Sequence, residues 1–173
     1  PRLRTEVEAS FGPWANKVWE RCKNEYSALA VRDADVMNRL LPLDGSWPEA
    51  TRLRVQRDGV DIGWAAVRAT QLKDDARFGS MFLGSVIDCI ASPGDAADVI
   101  RAATSHLRDA GVDLIISNQA HPAWASGFDA NGYFVLPNKR YFAMSPNLVS
   151  TLSPWETVRD GLHVTNLDGH GPH

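Results

Sequence analysis

The residue with most chemical promise is Asp88, a carboxylate near the end of a nearly continuous apolar run at residues 81–91. A carboxylate set in such a run must be paired, hydrogen-bonded or open to water. If it is desolvated, its pKa rises and it becomes a candidate general base. Otherwise it faces water at a cleft mouth or accepts bonds from a neighbouring loop. Asn118, Gln119 and His121 follow a second apolar stretch at 112–117. Residues just past the carboxyl ends of parallel strands line ligand crevices. His121 titrates near neutrality and could take a proton; it could equally cap the helix that Pro122 opens. His163, Asp168, His170 and His173 gather late in the chain. His170 and His173 have a metal-like spacing for a helix, but Gly169, Gly171 and Pro172 oppose one. A flexible tail is expected there, and no metal site. Cys22 and Cys89 make neither a disulfide framework nor a four-ligand zinc site, so a reducing, cytoplasmic setting is expected. Trp47 and Trp124 sit near loop or helix starts and could line a groove. No Gly-x-Ser-x-Gly, Walker A or Cys-x-x-Cys arrangement occurs.

The elements that must position these groups follow from periodicity. The chain has 173 residues, room for one domain. Lys plus Arg total 18 and Asp plus Glu 21, a net charge of -3 that gives no electrostatic reason to expect nucleic acid or an anionic membrane. No apolar run is long enough to span a bilayer. The chain opens on Pro1 without a leader, and a longer parent chain is expected. Leu3, Thr5, Val7 and Ala9 alternate with charged residues and predict a first strand with one apolar face. Trp14, Val18, Cys22 and Tyr26 recur every four residues and predict a helix of about 14 residues, opened by Pro13 and capped by Ser10. That stripe makes Cys22 a core residue. Asp33 is read as the cap of a second helix, with Val36, Met37, Leu40 and Leu41 inward and Pro42 as its stop. Residues 43–50 read as a loop.

Asp58-Gly59 predicts a tight hairpin between strands around Val55 and Trp64. Residues 81–91 suit a strand covered on both faces. Ser92, Pro93 and Asp95 read as a capping sequence for a helix with Val99, Ile100, Ala103 and Leu107 inward, ended by Gly111. Strand, helix and strand over residues 82–117 form a parallel crossover unit. A helix at 121–131, closed by Gly132, and a final antiparallel pair at 133–136 and 140–144 complete the order. The expected division is a domain at 1–146 and a tail at 147–173 that packs on it through Trp155 and Leu162.

This element order, with Val86-Ile87-Asp88-Cys89-Ile90-Ala91-Ser92-Pro93 and Phe128-Asp129-Ala130-Asn131-Gly132-Tyr133-Phe134, resembles the GCN5-related N-acetyltransferases (GNAT). Residues 31–39, His121-Pro122 and Leu162-His163-Val164-Thr165 resemble a bacterial group found as the second half of tandem GNAT proteins. The resemblance implies a mixed α/β fold: a mainly antiparallel sheet, a parallel strand-helix-strand crossover and helices on both faces. It implies an acyl-CoA-dependent N-acyltransferase taking acetyl-CoA and an amine acceptor. Asp88 or His121 would be the base, and Ile90, Ser92, Gly94 and Asn118 would hold the cofactor. A second GNAT-like domain or a second copy is the implied protein partner.

Two departures stand against that chemistry. The cofactor loop of the family presents glycines and a basic residue at a helix start, where bare N–H groups hold a pyrophosphate. Here the expected glycines are Ala97, Val99 and Arg101, and Asp95 and Asp98 place negative charge beside the site. Phe128 stands where many members carry a tyrosine acid, and Phe has no proton to give. The alternative expectation is therefore a non-catalytic GNAT-like domain, a packing partner or substrate platform.

Overall fold

A computed structural model describes residues 2–43, 50–136 and 143–168. The hairpin forms as the dipeptide demands. Asp58 and Gly59 both take positive φ (51° and 81°), the twist that matches right-handed strands. The turn joins β3 (Thr51–Arg57) to β4 (Val60–Gln71), with β1 (Leu3–Glu8) on the outer side of β3. On the other side β4 pairs antiparallel with β5 (Phe82–Ala91), and β5 pairs parallel with β6 (Leu114–Ser117). The sheet order is β1-β3-β4-β5-β6.

The crossover from β5 to β6 is α3 (Ala96–Asp109), which buries Val99, Ile100, Ala103 and Leu107. It packs on β4 and β5, as does α1 (Pro13–Cys22). Residues 62–67 and 86–91 are buried without a break, so this part of the sheet is covered on both faces. The Trp14-Val18-Cys22-Tyr26 stripe is buried as its spacing predicts, though α1 ends at Cys22 and a 3₁₀ turn (Lys23–Glu25) carries the chain on. Gly12, not Ser10, stands at the N-cap of α1, and no side chain caps it. Asp33 does cap α2 (Ala34–Leu40), accepting the Val36 N–H at 2.8 Å.

One irregularity in the sheet shapes everything beside it. The register between β4 and β5 shifts so that Ile87 has no partner between Val67↔Val86 and Ala66↔Asp88. Such a bulge bends the strand and tightens its twist. At the same place β5 leaves β6: their last pair is Val86↔Ser117, and the Ser117 hydroxyl donates to Val86 O at 3.1 Å. Beyond that point β5 runs on for five residues with no strand, among the described residues, against its β6 side.

Three expectations need correction. Residues 133–136 are not a strand: Phe134, Val135 and Leu136 are exposed. The Pro137-Asn138 turn and most of the return strand at 140–144 lie outside the described residues, as do Trp47, His170 and His173. The apolar face of β1 points mostly outward, with Val7 64% exposed, while Glu6 and Glu8 lie on the more covered face beside Arg54. Finally, His163 does not belong to a flexible tail. Leu162, His163, Thr165 and Leu167 are buried, whereas Trp155 is only half-buried.

Candidate functional site

The free side of β5 beyond Val86 is where an extended ligand would find strand hydrogen bonds. In this chain three of its groups are already used. Cys89 O faces Nε2 of His163 at 3.0 Å, and Ala91 O accepts the Tyr26 hydroxyl at 2.6 Å. The Cys89 N–H donates to Asp88 at 2.9 Å. His163 belongs to β7 (Leu162–His163), which lies parallel to β2 (Ala28–Leu29). The next residues close over the end of β6. The Ala120 N–H donates to Val164 O at 3.0 Å, and Gln119 bridges Thr165.

An aromatic wall backs this segment. It is carried by α4 (Pro122–Ala130) and the turn after α1. Trp124, fully buried, stacks on His163 with centroids 5.5 Å apart and donates its indole N–H to the Tyr26 hydroxyl at 3.1 Å. His121 meets Tyr26 edge-on at 4.9 Å.

Arg32 ties the crevice shut. It is fully buried and offers its donors in a fork. Nε donates to both Asp88 oxygens at 3.0 and 3.2 Å, Nη1 to Ala30 O at 2.9 Å, and Nη2 to Asp168 at 2.7 Å and Thr165 Oγ1 at 3.3 Å. Asp168 also accepts the Thr165 N–H at 2.8 Å. Burial works against the charge on Arg32, and the two carboxylates more than offset it. Burial pushes Asp88 up to about 6, with the Arg32 charge pulling the other way. Asp88 is thus neither at a wet cleft mouth nor free to take a proton from a substrate. It is the buried partner of a cation on a neighbouring loop.

His163 and His121 are held neutral for the same reason. Burial drives His163 down to about 3. With Nε2–H donated to Cys89 O, its Nδ1 is a buried acceptor without a hydrogen bond. Burial also lowers His121, and its Nδ1 accepts the Ala123 N–H at 3.2 Å as the cap of α4. A neutral ring so held carries its proton on Nε2 and presents a donor rather than a base. Burial raises Cys22 to about 12 and holds Cys89 well above the ordinary thiol range, so neither thiol is an activated nucleophile.

Two N–H groups of the helix start that would hold a pyrophosphate are likewise committed. Ser92 does not cap it with its side chain; the hydroxyl donates to Glu25 instead. A 3₁₀ turn (Pro93–Asp95) uses the Asp95 N–H on Ser92 O at 2.8 Å and the Ala96 N–H on Pro93 O. Gly127 of α4 lies so close that a Cβ there would be 3.1 Å from Ala97 N. Asp95 and Asp98 are not bare charges: Arg57 of β3 pairs with both, at 2.8 Å to Asp95, and Arg101 pairs with Asp98. The acidic loop is therefore locally neutralised, which the run of carboxylates alone does not disclose. Gly94 stays open, and half-buried Asn118 makes no side-chain hydrogen bond among the described residues. Ile90 is fully buried. The residues present do not fit a bound coenzyme A in this conformation. Among the described residues, no group of three or more His, Cys, Asp or Glu could hold a metal ion, and no helix is long and apolar enough to cross a membrane.

Sequence reasoning placed Asp88 and His121 in one region and missed most of what surrounds them. Tyr26 and Trp124 read as core or groove, His163 and Asp168 as tail, and Arg32 received no role. The available signal was Asp88 itself, because a carboxylate in an apolar strand calls for a cation.

No family model matches the sequence, and neither does any curated protein. Solved structures do match. The acetyltransferase AAC(6')-Iy, in complex with the bisubstrate analogue CoA-S-monomethyl-acetylneamine, aligns with a TM-score of 0.54 at 13% identity, over 84% of this chain and 99% of that one. An aminoglycoside acetyltransferase from an uncultured soil metagenomic sample, in complex with sisomicin, gives 0.52 at 11% identity, over 83% and 97%. An acetyltransferase of Trypanosoma brucei gives 0.50 at 13% identity, over 83% and 100%. The chain has the fold of the GNAT acetyltransferases. At these identities the likeness is one of architecture.

Proposed function

We propose that this is a GNAT-fold domain that does not turn over acyl-CoA and serves as a packing partner or substrate platform. The observation that carries the reading is the occupied edge of β5. The carbonyls an extended cofactor arm would meet are satisfied by His163 and Tyr26. The committed N–H groups after Ser92 support it. The fold neighbours crystallised with coenzyme A or an analogue favour the alternative, an acetyl-CoA-dependent N-acyltransferase. In that reading Ile90, Ser92, Gly94 and Asn118 hold the cofactor, and the base is Asp88 released from Arg32 or His121 released from the Ala123 N–H, with residues 162–168 moved aside.

Titration with acetyl-CoA, followed by calorimetry and by melting temperature, separates the two. A ligand that binds only the folded state at 100 times its Kd adds about 2.7 kcal/mol of stability. No heat and no shift at millimolar acetyl-CoA is the expected result. Saturable binding at micromolar concentrations would sink the proposal.

A further inference from the structure

The outer edge of β1 has no strand against it among the described residues. The Asp58 N–H donates to Arg2 O at 3.1 Å, one step beyond the pair Leu3↔Arg57. Arg2 and Asp58 are therefore a hydrogen-bonded pair. Antiparallel ladders alternate, so Arg4, Glu6 and Glu8 bond to β3, and the N–H and C=O groups of Leu3, Thr5 and Val7 face outward. Lone edges are usually blunted by charged side chains, lysine above all, by proline or by a bulge; β1 does carry charges, Arg4, Glu6 and Glu8, but they are of both signs. The segment Leu3–Glu8 has no lysine or proline and keeps an unbroken register with β3.

We infer that β1 is a self-pairing edge, on which a second copy of this chain docks antiparallel about a twofold axis at Thr5. That register sets Thr5 opposite Thr5, Leu3 opposite Val7, Arg4 opposite Glu6 and Arg2 opposite Glu8. The charges decide it. The first half of the strand is positive and the second negative, so only an antiparallel arrangement brings unlike charges together. The backbone parity agrees. Leu3, Thr5 and Val7 supply the outward hydrogen bonds, which leaves Arg4 opposite Glu6 as a non-hydrogen-bonded pair. In such pairs side chains approach most closely, with Cα atoms about 4.5 Å apart. Arg4 is 70% exposed, and its present contact with Glu6 of the same strand, at 2.7 Å, is a surface pair that exchanges at little cost. The pairing also explains the apolar side chain that the isolated chain leaves out. Val7, 64% exposed, gains Leu3 of the second copy as its cross-strand neighbour.

Light scattering and analytical ultracentrifugation across concentration test this. The expected mass rises to twice that of the chain. Thr5→Pro removes an outward N–H and spares the ladder to β3, and it should leave a folded monomer. Arg4→Glu and Glu6→Arg each set like charges opposite one another and should weaken the dimer at least about tenfold. Mixing these two variants restores unlike pairs at both positions and should restore the dimer. Circular dichroism checks that each variant is folded; if Thr5→Pro is not, the charge variants decide. One chain mass at every concentration overturns the inference. So does a dimer indifferent to these substitutions, or charge variants that fail to re-pair when mixed.

Discussion

Replacing Arg32 with alanine is expected to destabilise the fold by about 3–5 kcal/mol, because it strands a buried carboxylate without its cation. Asp88 is fully buried, and among the described residues its oxygens otherwise receive only the Cys89 N–H. Asp168 loses the same partner, although it keeps the Thr165 N–H. For a chain of this length that loss lowers the melting temperature by roughly 10 °C. Arg32→Lys should recover only part of the loss. An ammonium keeps the charge but cannot span Asp88, Ala30 O, Thr165 and Asp168 as the planar fork does. Removing Arg32 and Asp88 together should cost less than the sum of the two single changes, since the double variant leaves Asp168 alone without the cation. Chemical denaturation of the four proteins measures this. A single-variant loss under about 1 kcal/mol, or strict additivity, would show that the ion pairs of Arg32 with Asp88 and Asp168 are not what holds residues 162–168 in place.

The second large effect is on pH dependence. His163 is held near 3 by burial, well below the ordinary histidine value of 6.5. Its folded-state pKa is depressed, and the charged ring is the form the core rejects. The stabilisation from a neutral His163 is therefore complete above pH 6.5 and is lost progressively as pH falls toward 3. Asp88 has the opposite sign. Burial raises it to about 6 from 3.8, so its contribution is full below about pH 4 and is lost as pH climbs through 6. Between pH 4 and 6 the two oppose each other. His163→Gln removes only the first and keeps a donor for Cys89 O. The stability advantage of the unaltered chain over His163→Gln should shrink by several kcal/mol between pH 7 and pH 4. Urea unfolding at a series of pH values reads this directly. Parallel curves for the two proteins would show that His163 titrates as it does in the unfolded chain.

Both expectations concern groups that are hard to see in the sequence, and the acetyl-CoA titration and the β1 variants probe features that are easier to see there. Local chemistry settled much. Asp58-Gly59 makes the hairpin because its two residues accept positive φ. Asp33 caps α2 because its carboxylate reaches the Val36 N–H three residues on. The stripe from Trp14 to Tyr26 is buried because its spacing keeps one face of the chain inward. The run at 81–91 makes a strand covered on both sides, and Gly111 ends α3 at φ 82°. Each follows from interactions within a few residues, where periodicity and turn chemistry are decisive.

What closes the crevice is of another kind. Asp88 meets Arg32 across 56 positions, His163 meets Cys89 across 74, and Arg32 meets Asp168 across 136. Periodicity shows that Asp88 is set among buried residues, and physics then requires a partner, but neither says which distant cation returns to it. Asp95 and Asp98 likewise look repulsive to an anion until Arg57 arrives from β3 to neutralise them. The sequence by itself determined the elements, their order and the need for a charge beside Asp88. Only the tertiary structure decided that residues 162–168 supply the crevice's contents. Which segment fills the gap opened by the bulge at Ile87 depends on where the whole chain returns, and on the buried polar groups it must satisfy when it does.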